Sequence, residues 1–250
     1  MVSNRQLTGY TISDGAHQAG MFELTPTETE ALLLSLRVAT WSVTISLPLA
    51  LAAAWVLARH DFFGKFLFDG IVHLPLIVPP VVIGYLLLVG LGRNGVIGAW
   101  LYETFDITLA FSWRGAAVAA GVMSFPLMVR AIRLSMEAID RGLEDAARTL
   151  GASPVWVFIT VTLPLTLPGI LTGALLAFAR SLGEFGATIT FVSNIPGETR
   201  TLPLALYTLV QTPDGEAGAL RLVVISIVLA LGALILSEYL ARRLRQAEEL

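Results

Sequence analysis

Five long apolar segments constrain this chain more than any other feature of its sequence. They cover residues 31–58, 66–91, 115–132, 163–178 and 219–241. A helix needs about 20 mostly apolar residues to cross about 30 Å of hydrocarbon, and a water-facing globule could not bury all of these segments. The sequence therefore predicts an all-α membrane protein, a polytopic bundle of about five transmembrane helices.

The composition supports a membrane protein and argues against several other classes. The chain is 55% hydrophobic and only 14% charged, whereas a typical soluble domain is about 25% charged. Its net charge of −3 and the absence of a basic patch argue against nucleic acid as a partner. Without Cys there is no disulfide, thiolate metal site or cysteine nucleophile.

Basic residues near the segment ends predict the orientation in the membrane. Lys and Arg concentrate in short loops on the cytoplasmic side of membrane proteins. In this chain they cluster in three short stretches, around Arg59, Arg133 and Arg242. This distribution places the C-terminus in the cytoplasm and the N-terminus in the periplasm.

Three regions follow from the segments and their orientation. Residues 1–30 form a periplasmic tail with no apolar core, so we do not expect a signal peptide. Met21 is an alternative start, which would make residues 1–20 an extension. Residues 31–241 form the transmembrane domain, and residues 242–250 form a cytoplasmic tail.

Two local features complicate the simple picture of five straight helices. Pro75, Pro79 and Pro80 fall within the second segment, where they either kink a packed helix or break it beside a substrate path. The apolar piece at residues 187–192 is too short to span the bilayer. We interpret it as an outer re-entrant or surface segment.

The least apolar long stretch on the predicted inner side, residues 139–164, is organised as helix, turn and helix. Asp140 can cap a short helix that Gly151 would end in the left-handed conformation, and Ser153 followed by Pro154 is typical of a helix start. Small and apolar residues share one side of the first helix: Leu143, Ala146, Ala147 and Leu150. Such a side favours docking to a protein, because a helix lying on lipid usually carries bulky aromatic residues opposite Lys and Arg.

This stretch resembles the EAA loop of binding-protein-dependent ABC importer permeases. The residues that carry the resemblance are Glu144, Ala146, Ala147 and Gly151, followed by Leu163 and Pro164. Asp145 stands where the family often has Ala, and Val161 replaces the commoner Ile. The resemblance implies a type I ABC importer permease fold in which residues 139–164 are the coupling loop.

The same resemblance implies a set of partners. A homodimer of this chain would work with two ABC ATPase subunits, which would bind ATP and Mg²⁺, and with a periplasmic binding protein. The residues are consistent with that division, because no G-x-x-x-x-G-K-[ST] phosphate loop occurs. This chain is then a transport subunit, not an enzyme, and has no cofactor of its own. The G-x-G-x-x-G pattern at residues 90–95 follows a membrane segment rather than a strand, so we interpret it as a helix end and turn.

Within the family, residues 22–245 resemble the molybdate permeases in particular. The similarity is concentrated in the second segment, the coupling loop and the stretch around Gly183-Glu184-Phe185-Gly186. Sulfate and tungstate permeases share the general layout. The resemblance therefore implies a pathway for molybdate delivered by a periplasmic molybdate-binding protein, with sulfate, thiosulfate or tungstate as the alternative cargo.

Hydroxyl groups after the fourth segment are candidates for the pathway. A high-affinity site would trap a dianion, so conduction favours a weak, polar, hydrated passage. Ser181, Thr188 and Thr190 could supply its lining. The alternative is that these hydroxyls only satisfy backbone groups near a helix end.

Three arginines lie near the predicted outer ends of the segments. Arg37, Arg180 and Arg221 either attract an arriving dianion or extend to the lipid headgroups. Glu184 would repel the cargo if it faced the pathway. Its position four residues after Arg180 predicts an ion pair on one helix face.

Two other functional classes are disfavoured. A secondary transporter usually carries ionisable residues within its spans, and carboxylates are almost absent from the centres of these segments. An intramembrane enzyme needs a nucleophile or metal constellation, and no H-E-x-x-H motif is present.

Overall fold

The computed structural model describes residues 24–248, and helices are the only regular structure in that range. The helices are α1 Pro26–Arg59, α2 Lys65–Ile77, α3 Pro80–Leu91, α4 Val96–Phe105, α5 Trp113–Glu137, α6 Arg141–Thr149, α7 Pro154–Val157, α8 Leu163–Leu182, α9 Gly186–Val192, α10 Leu202–Val210 and α11 Glu216–Glu248. A π-helix over Phe158–Thr162 joins α7 to α8. Most of the predicted N-terminal tail, including the alternative start at Met21, lies outside the described residues.

The prediction of about five membrane crossings is confirmed. Four stretches of the described chain are long and apolar enough to cross a membrane: α1, α5, the continuous helix Pro154–Leu182, and Glu216–Leu236 within α11. Counted as one crossing, the bent pair formed by α2 and α3 brings the number to five. The fourth crossing begins at Pro154, earlier than predicted, because α7 runs into α8 through the π-helix without a break.

The second predicted segment is not one straight helix. It bends by 114° between α2 and α3, where Val78 is extended and Pro79 precedes the first residue of α3. Asp69 of α2 forms an ion pair with Arg133 near the end of α5, 3.2 Å away. The far end of α3 packs beside the start of α5, because Leu88 and Leu91 contact the cluster that includes Ala116. These contacts support counting the bent pair as one crossing.

The short helix α9 packs against α3 and α5. Its residues Ala187, Phe191 and Val192 are buried in the apolar cluster that α3 and α5 also line. Of the two predicted alternatives for this piece, the surface segment is wrong, since α9 is an internal element, and the outer re-entrant segment stays a prediction. At Gly84 the backbones of α3 and α9 meet, and a Cβ added there would lie 2.5 Å from the Ala187 carbonyl oxygen.

Helices α1, α5 and α8 form the centre of the bundle. Small residues allow them to approach closely, and a Cβ added at Gly169 of α8 would overlap the Ser135 side chain of α5. A buried chain of serine hydroxyls also links the three helices. Ser42 Oγ donates to Ser181 Oγ at 2.9 Å, and Ser181 Oγ donates to Ser124 Oγ at 3.3 Å.

The first and last long helices start at the same end of the bundle. Thr25 caps α1 through a capping box with Glu28, and the buried Glu28 forms an ion pair with the half-buried Arg221 near the start of α11, at 2.8 Å. The far end of α1 reaches the opposite end of the bundle, where Arg59 contacts α6. Residues 24 and 248 consequently lie at opposite ends.

Candidate functional site

The predicted coupling helix is present as α6, and its termini form as the sequence predicts. The Asp140 carboxylate accepts a hydrogen bond from the Gly142 backbone N–H at 2.8 Å. Gly151 follows the helix with φ +87°, the left-handed conformation that favours glycine. Ser153 accepts from the Trp156 N–H and Pro154 opens α7. These caps set the angle between α6 and the fourth crossing.

One side of α6 is uncovered. Leu143 is 52% exposed and Leu150 is 89% exposed, Ala146 is exposed and Ala147 is half-buried. Exposed leucines at the end of a membrane bundle give an apolar patch that water does not favour. The geometry therefore suits a docking surface for a protein partner at this end of the bundle.

Glu144 points away from that patch and into the bundle. Its carboxylate is 7% exposed and forms an ion pair with Arg59 at 2.7 Å, while the Arg59 side chain is 9% exposed. The same carboxylate oxygen accepts a hydrogen bond from the buried Thr162 hydroxyl at 2.8 Å. Glu144 thus joins α6 to the end of α1 and to the π-helix, an arrangement called here the Glu144 junction (Arg59, Glu144 and Thr162).

The connection after α1 also lies near α6. The pKa of the exposed Asp61 carboxyl is lowered chiefly by the hydrogen bond from Lys65, and Arg141 at the start of α6 contributes a smaller electrostatic effect. This end of the bundle therefore brings together the end of α1, the start of α2 and α6.

The remaining residues of the loop motif lie at the start of α8. Pro164 is the second residue of α8 and is exposed; because the helix continues from the π-helix, its missing N–H leaves one carbonyl of the preceding turn without that intrahelical donor. Leu163 is half-buried against the apolar cluster around Leu57 and Val129. The motif therefore combines the uncovered patch on α6 with residues that fix α6 to the membrane helices.

The hydroxyls predicted to line the pathway lie inside this subunit. Ser181 and Thr188 are 5% and 1% exposed, and Ser181 belongs to the serine chain described above. Thr190 is half-buried, and its hydroxyl donates to the Gly186 carbonyl oxygen at 2.9 Å. Their role in conduction stays a prediction.

The arginines predicted near the outer ends all have partners within the chain. Arg180 Nη1 lies 2.8 Å from Glu184 Oε2, so the predicted ion pair forms, although α8 ends at Leu182 and the two residues do not share a helix face as predicted. Glu184 Oε1 also accepts the Ala187 N–H at 2.9 Å. Arg221 pairs with Glu28. Arg37 has no carboxylate partner among the described residues, and its guanidinium lies over the Trp113 ring at 3.7 Å from the centroid.

Sequence reasoning missed the partners that act across long separations. Arg59 lies 85 residues from Glu144, and Glu28 lies 193 residues from Arg221. The sequence marked only one of these partners, and only by its position: Arg59 directly follows residues 38–58, which carry no charged side chain. A buried carboxylate needs a partner, but the sequence did not show that Glu144 would be buried.

A protein-family model described as "Binding-protein-dependent transport system inner membrane component" matches residues 46–246. The chain belongs to this family. It is therefore a multi-pass membrane component of a binding-protein-dependent transport system, as the resemblance of the coupling loop implied.

Individual relatives cover almost the whole chain. The molybdenum transport system permease protein ModB of Escherichia coli (strain K12) is 65% identical over 223 residues, which are 89% of this chain and 97% of that protein. ModB of Haemophilus influenzae is 59% identical over 219 residues, or 88% and 96% of the two chains.

Solved structures show the same fold. A bacterial alginate ABC transporter, crystallised in complex with an alginate pentasaccharide-bound periplasmic protein, contains a chain that matches with a TM-score of 0.67. The match covers 91% of this chain and 82% of that chain at 18% sequence identity. The predicted fold, that of an ABC importer permease, is confirmed.

Proposed function

We propose that this chain is the permease subunit of a bacterial ATP-driven importer and forms the transmembrane pathway for molybdate. The observation that carries the proposal is the 65% identity to a molybdenum transport permease over 97% of that protein's length. At this level of identity along the bundle, most residues that line the pathway should be the same in the two proteins. Related oxyanions, namely tungstate, sulfate and thiosulfate, are the alternative cargo.

The partners follow from the chemistry of α6 and from the shape of a single bundle. Two copies of the chain would enclose the pathway around a two-fold axis, and each copy offers one α6 to one ABC ATPase subunit. The ATPases would bind ATP and Mg²⁺ and close together. A periplasmic protein would bind molybdate tightly and deliver it to the opposite end of the bundle.

This assignment of ends agrees with the basic residues. The end that carries Arg59, Arg133 and α6 would face the cytoplasm, because Lys and Arg are concentrated there. The first described residues would face the periplasm, and the end of α11 would face the cytoplasm. The α6 patch would then lie where an ATPase can reach it.

Coupling in this scheme depends on the Glu144 junction. When an ATPase subunit moves α6, the ion pair to Arg59 transmits force to α1, and the hydrogen bond from Thr162 transmits it to the π-helix and α8. Both contacts are buried, so they are stronger than exposed ion pairs. The bundle would respond as the two ATPases open and close.

The passage itself would bind molybdate weakly. The charge of Arg180 is already balanced by Glu184, so this arginine contributes little net attraction for a dianion. A weak passage is consistent with transport, because a strong site within the membrane would hold the ion. Affinity would reside in the periplasmic binding protein.

The α6 patch gives a direct test of the ATPase partner. Leu150→Glu places a carboxylate on the patch, and burying an unpaired carboxylate in an interface costs several kcal/mol. We expect co-purification of the ATPase to fall at least tenfold, measured by pull-down of the complex in mild detergent. The thermal stability of the permease should stay unchanged, because Leu150 is 89% exposed.

Arg148→Glu is the matched control for this variant. Arg148 is also exposed on α6, and five residues after Leu143 it lies about 140° around the helix from that residue. It should retain the ATPase at the level of the unmodified chain. Equal recovery of the ATPase with both variants would contradict the proposed docking surface.

Substrate identity is tested by uptake in proteoliposomes that contain the complex and its binding protein. ATP-dependent uptake of labelled molybdate is expected, and excess tungstate should compete because it is a tetrahedral dianion of similar size. Excess sulfate should compete much less. Uptake of labelled sulfate that excess molybdate leaves unchanged would refute molybdate as the cargo and leave the permease assignment intact.

A further inference from the structure

A cluster of cationic and aromatic side chains lies on the outside of the bundle, where α1 passes the start of α5. Arg37 lies over the Trp113 ring at 3.7 Å from the ring centroid, and Arg114 lies 5.8 Å from the same centroid. Trp41 contacts Trp113 with ring centroids 6.3 Å apart. We call these four residues the Arg37 cluster.

The cluster is continuous with an apolar face of α1. Leu33, Trp41, Ile45 and Leu49 are 61%, 48%, 51% and 61% exposed. They recur at four-residue spacing, and Arg37 occupies the one remaining position in this row. Residues four apart lie above one another on a helix surface, so an exposed arginine interrupts a lipid-facing apolar row.

The depth of Arg37 matches the edge of the hydrocarbon. Arg37 and Arg59 bracket residues 38–58, which contain no charged side chain. At 1.5 Å rise per residue this stretch is about 32 Å long, close to the thickness of the bilayer core of about 30 Å. Arg37 therefore lies at the level of the lipid headgroups, as do Trp41 and Trp113, since tryptophan is enriched at that boundary.

The cluster carries positive charge without an ion-pair partner. Arg37 and Arg114 are both exposed, and neither forms an ion pair within the part of the chain that the structure describes. The nearby Glu198 carboxylate accepts a hydrogen bond from the Trp113 backbone N–H at 3.3 Å. The net charge of Arg37, Arg114 and Glu198 together is therefore about +1. Stacking on Trp113 holds the Arg37 guanidinium in place and leaves its N–H groups free to donate.

We propose that the Arg37 cluster binds the phosphate group of an anionic membrane phospholipid. Arginine donates to phosphate in a planar, paired geometry, and two arginines favour a lipid with a net negative charge. The acyl chain would lie along Trp41, Ile45 and Leu49. A soluble oxyanion has no apolar tail, so it could bind the two arginines but could not also cover the apolar row below them.

The test is native mass spectrometry of the full chain in detergent, titrated with phosphatidylglycerol or with phosphatidylethanolamine. An arginine that contacts the headgroup contributes about fivefold to the binding of that anionic lipid. We expect Arg37→Gln and Arg114→Gln each to weaken phosphatidylglycerol binding about fivefold, and the double variant about thirtyfold. Phosphatidylethanolamine should bind more weakly than phosphatidylglycerol to the unmodified chain.

Arg93→Gln is the matched control. Arg93 is exposed and lies over the Tyr102 ring at 4.4 Å, so it has the same stacked geometry at a separate position. This variant should keep the affinity for phosphatidylglycerol. Arg114→Gln leaves the Arg37–Trp113 stack intact, so it remains informative if the double variant does not fold.

Three results would overturn the proposal. The first is equal phosphatidylglycerol binding by the unmodified chain and the Arg37 and Arg114 variants. The second is displacement of the bound lipid signal by millimolar inorganic phosphate, which would indicate a soluble-anion site. The third is a change from dimer to monomer in the double variant with lipid binding retained, which would assign the cluster to contact between two copies.

Discussion

Replacing Glu144 with alanine is expected to reduce molybdate uptake by about ten- to a hundredfold. This is the factor that corresponds to a typical coupling free energy between two sites of a protein. The substitution leaves Arg59 buried without its carboxylate and removes the acceptor of the Thr162 hydroxyl. Removing one partner of a buried ion pair costs about 3–5 kcal/mol. Because the lost contacts lie within the permease, the ATPase should remain bound. Its ATP hydrolysis should continue but no longer drive molybdate uptake. Parallel assays of uptake and of ATP hydrolysis in proteoliposomes measure this uncoupling.

Asp145→Ala is the control for Glu144→Ala. Asp145 is the adjacent acidic residue, but its carboxylate is 68% exposed and pairs with Arg148 on the same helix at 3.1 Å. An exposed pair of this kind contributes about 0–1 kcal/mol, so uptake should change little. A different outcome would contradict this role. If Glu144→Ala no longer bound the ATPase, and that loss accounted for the uptake defect, Glu144 would act in docking and not in the Glu144 junction.

A second large effect is expected at Gly84, where α3 meets α9. The Cβ of Gly84→Ala would lie 2.5 Å from the Ala187 carbonyl oxygen and 2.8 Å from the Thr190 Cβ. Backbone atoms cannot rotate away as a flexible side chain can, so the two helices must separate. Overpacking costs about 1–3 kcal/mol, and we expect the upper part of that range. This cost corresponds to a Tm about 5–10 °C lower, measured by thermal unfolding in detergent.

Gly90→Ala provides a control on the same helix. No atom lies within 4 Å of a Cβ added at Gly90, so nothing opposes the substitution. Alanine also favours the helix by about 1 kcal/mol relative to glycine, and the Tm should stay constant or rise slightly. Equal Tm changes at the two positions would contradict the close contact between α3 and α9.

The elements that the sequence predicted correctly depend on local interactions. The long crossings follow from apolar length, and the ends of α6 follow from residues within one or two turns, such as Asp140 and Gly151. The ion pair between Arg180 and Glu184 also lies within four residues. In each of these cases the interacting groups are close along the chain, so their chemistry can be read directly from the sequence.

The elements that the sequence did not predict depend on distant contacts. Pro79 and Pro80 indicated a disturbance in the second segment, but neither the angle of 114° nor the packing of α9 against α3 could be read from them. The apolar composition of α9 suits a membrane surface and a protein interior equally well. The role of Glu144 was predicted from the resemblance of its loop to the EAA loop, and its burial against Arg59 of α1 could not be read from that loop.

The π-helix between α7 and α8 sets the rotational phase of the coupling segment. A π-helix accommodates one extra residue compared with an α-helix over the same length. If the same five residues formed a regular α-helix, the extra residue would no longer be absorbed, and α7 would be rotated by about 100° about the axis of α8 and shifted by about 1.5 Å. Thr162 would then no longer face Glu144, and α6 would point in a different direction. The single extra residue in this wide turn therefore determines the side of the bundle on which α6 is presented.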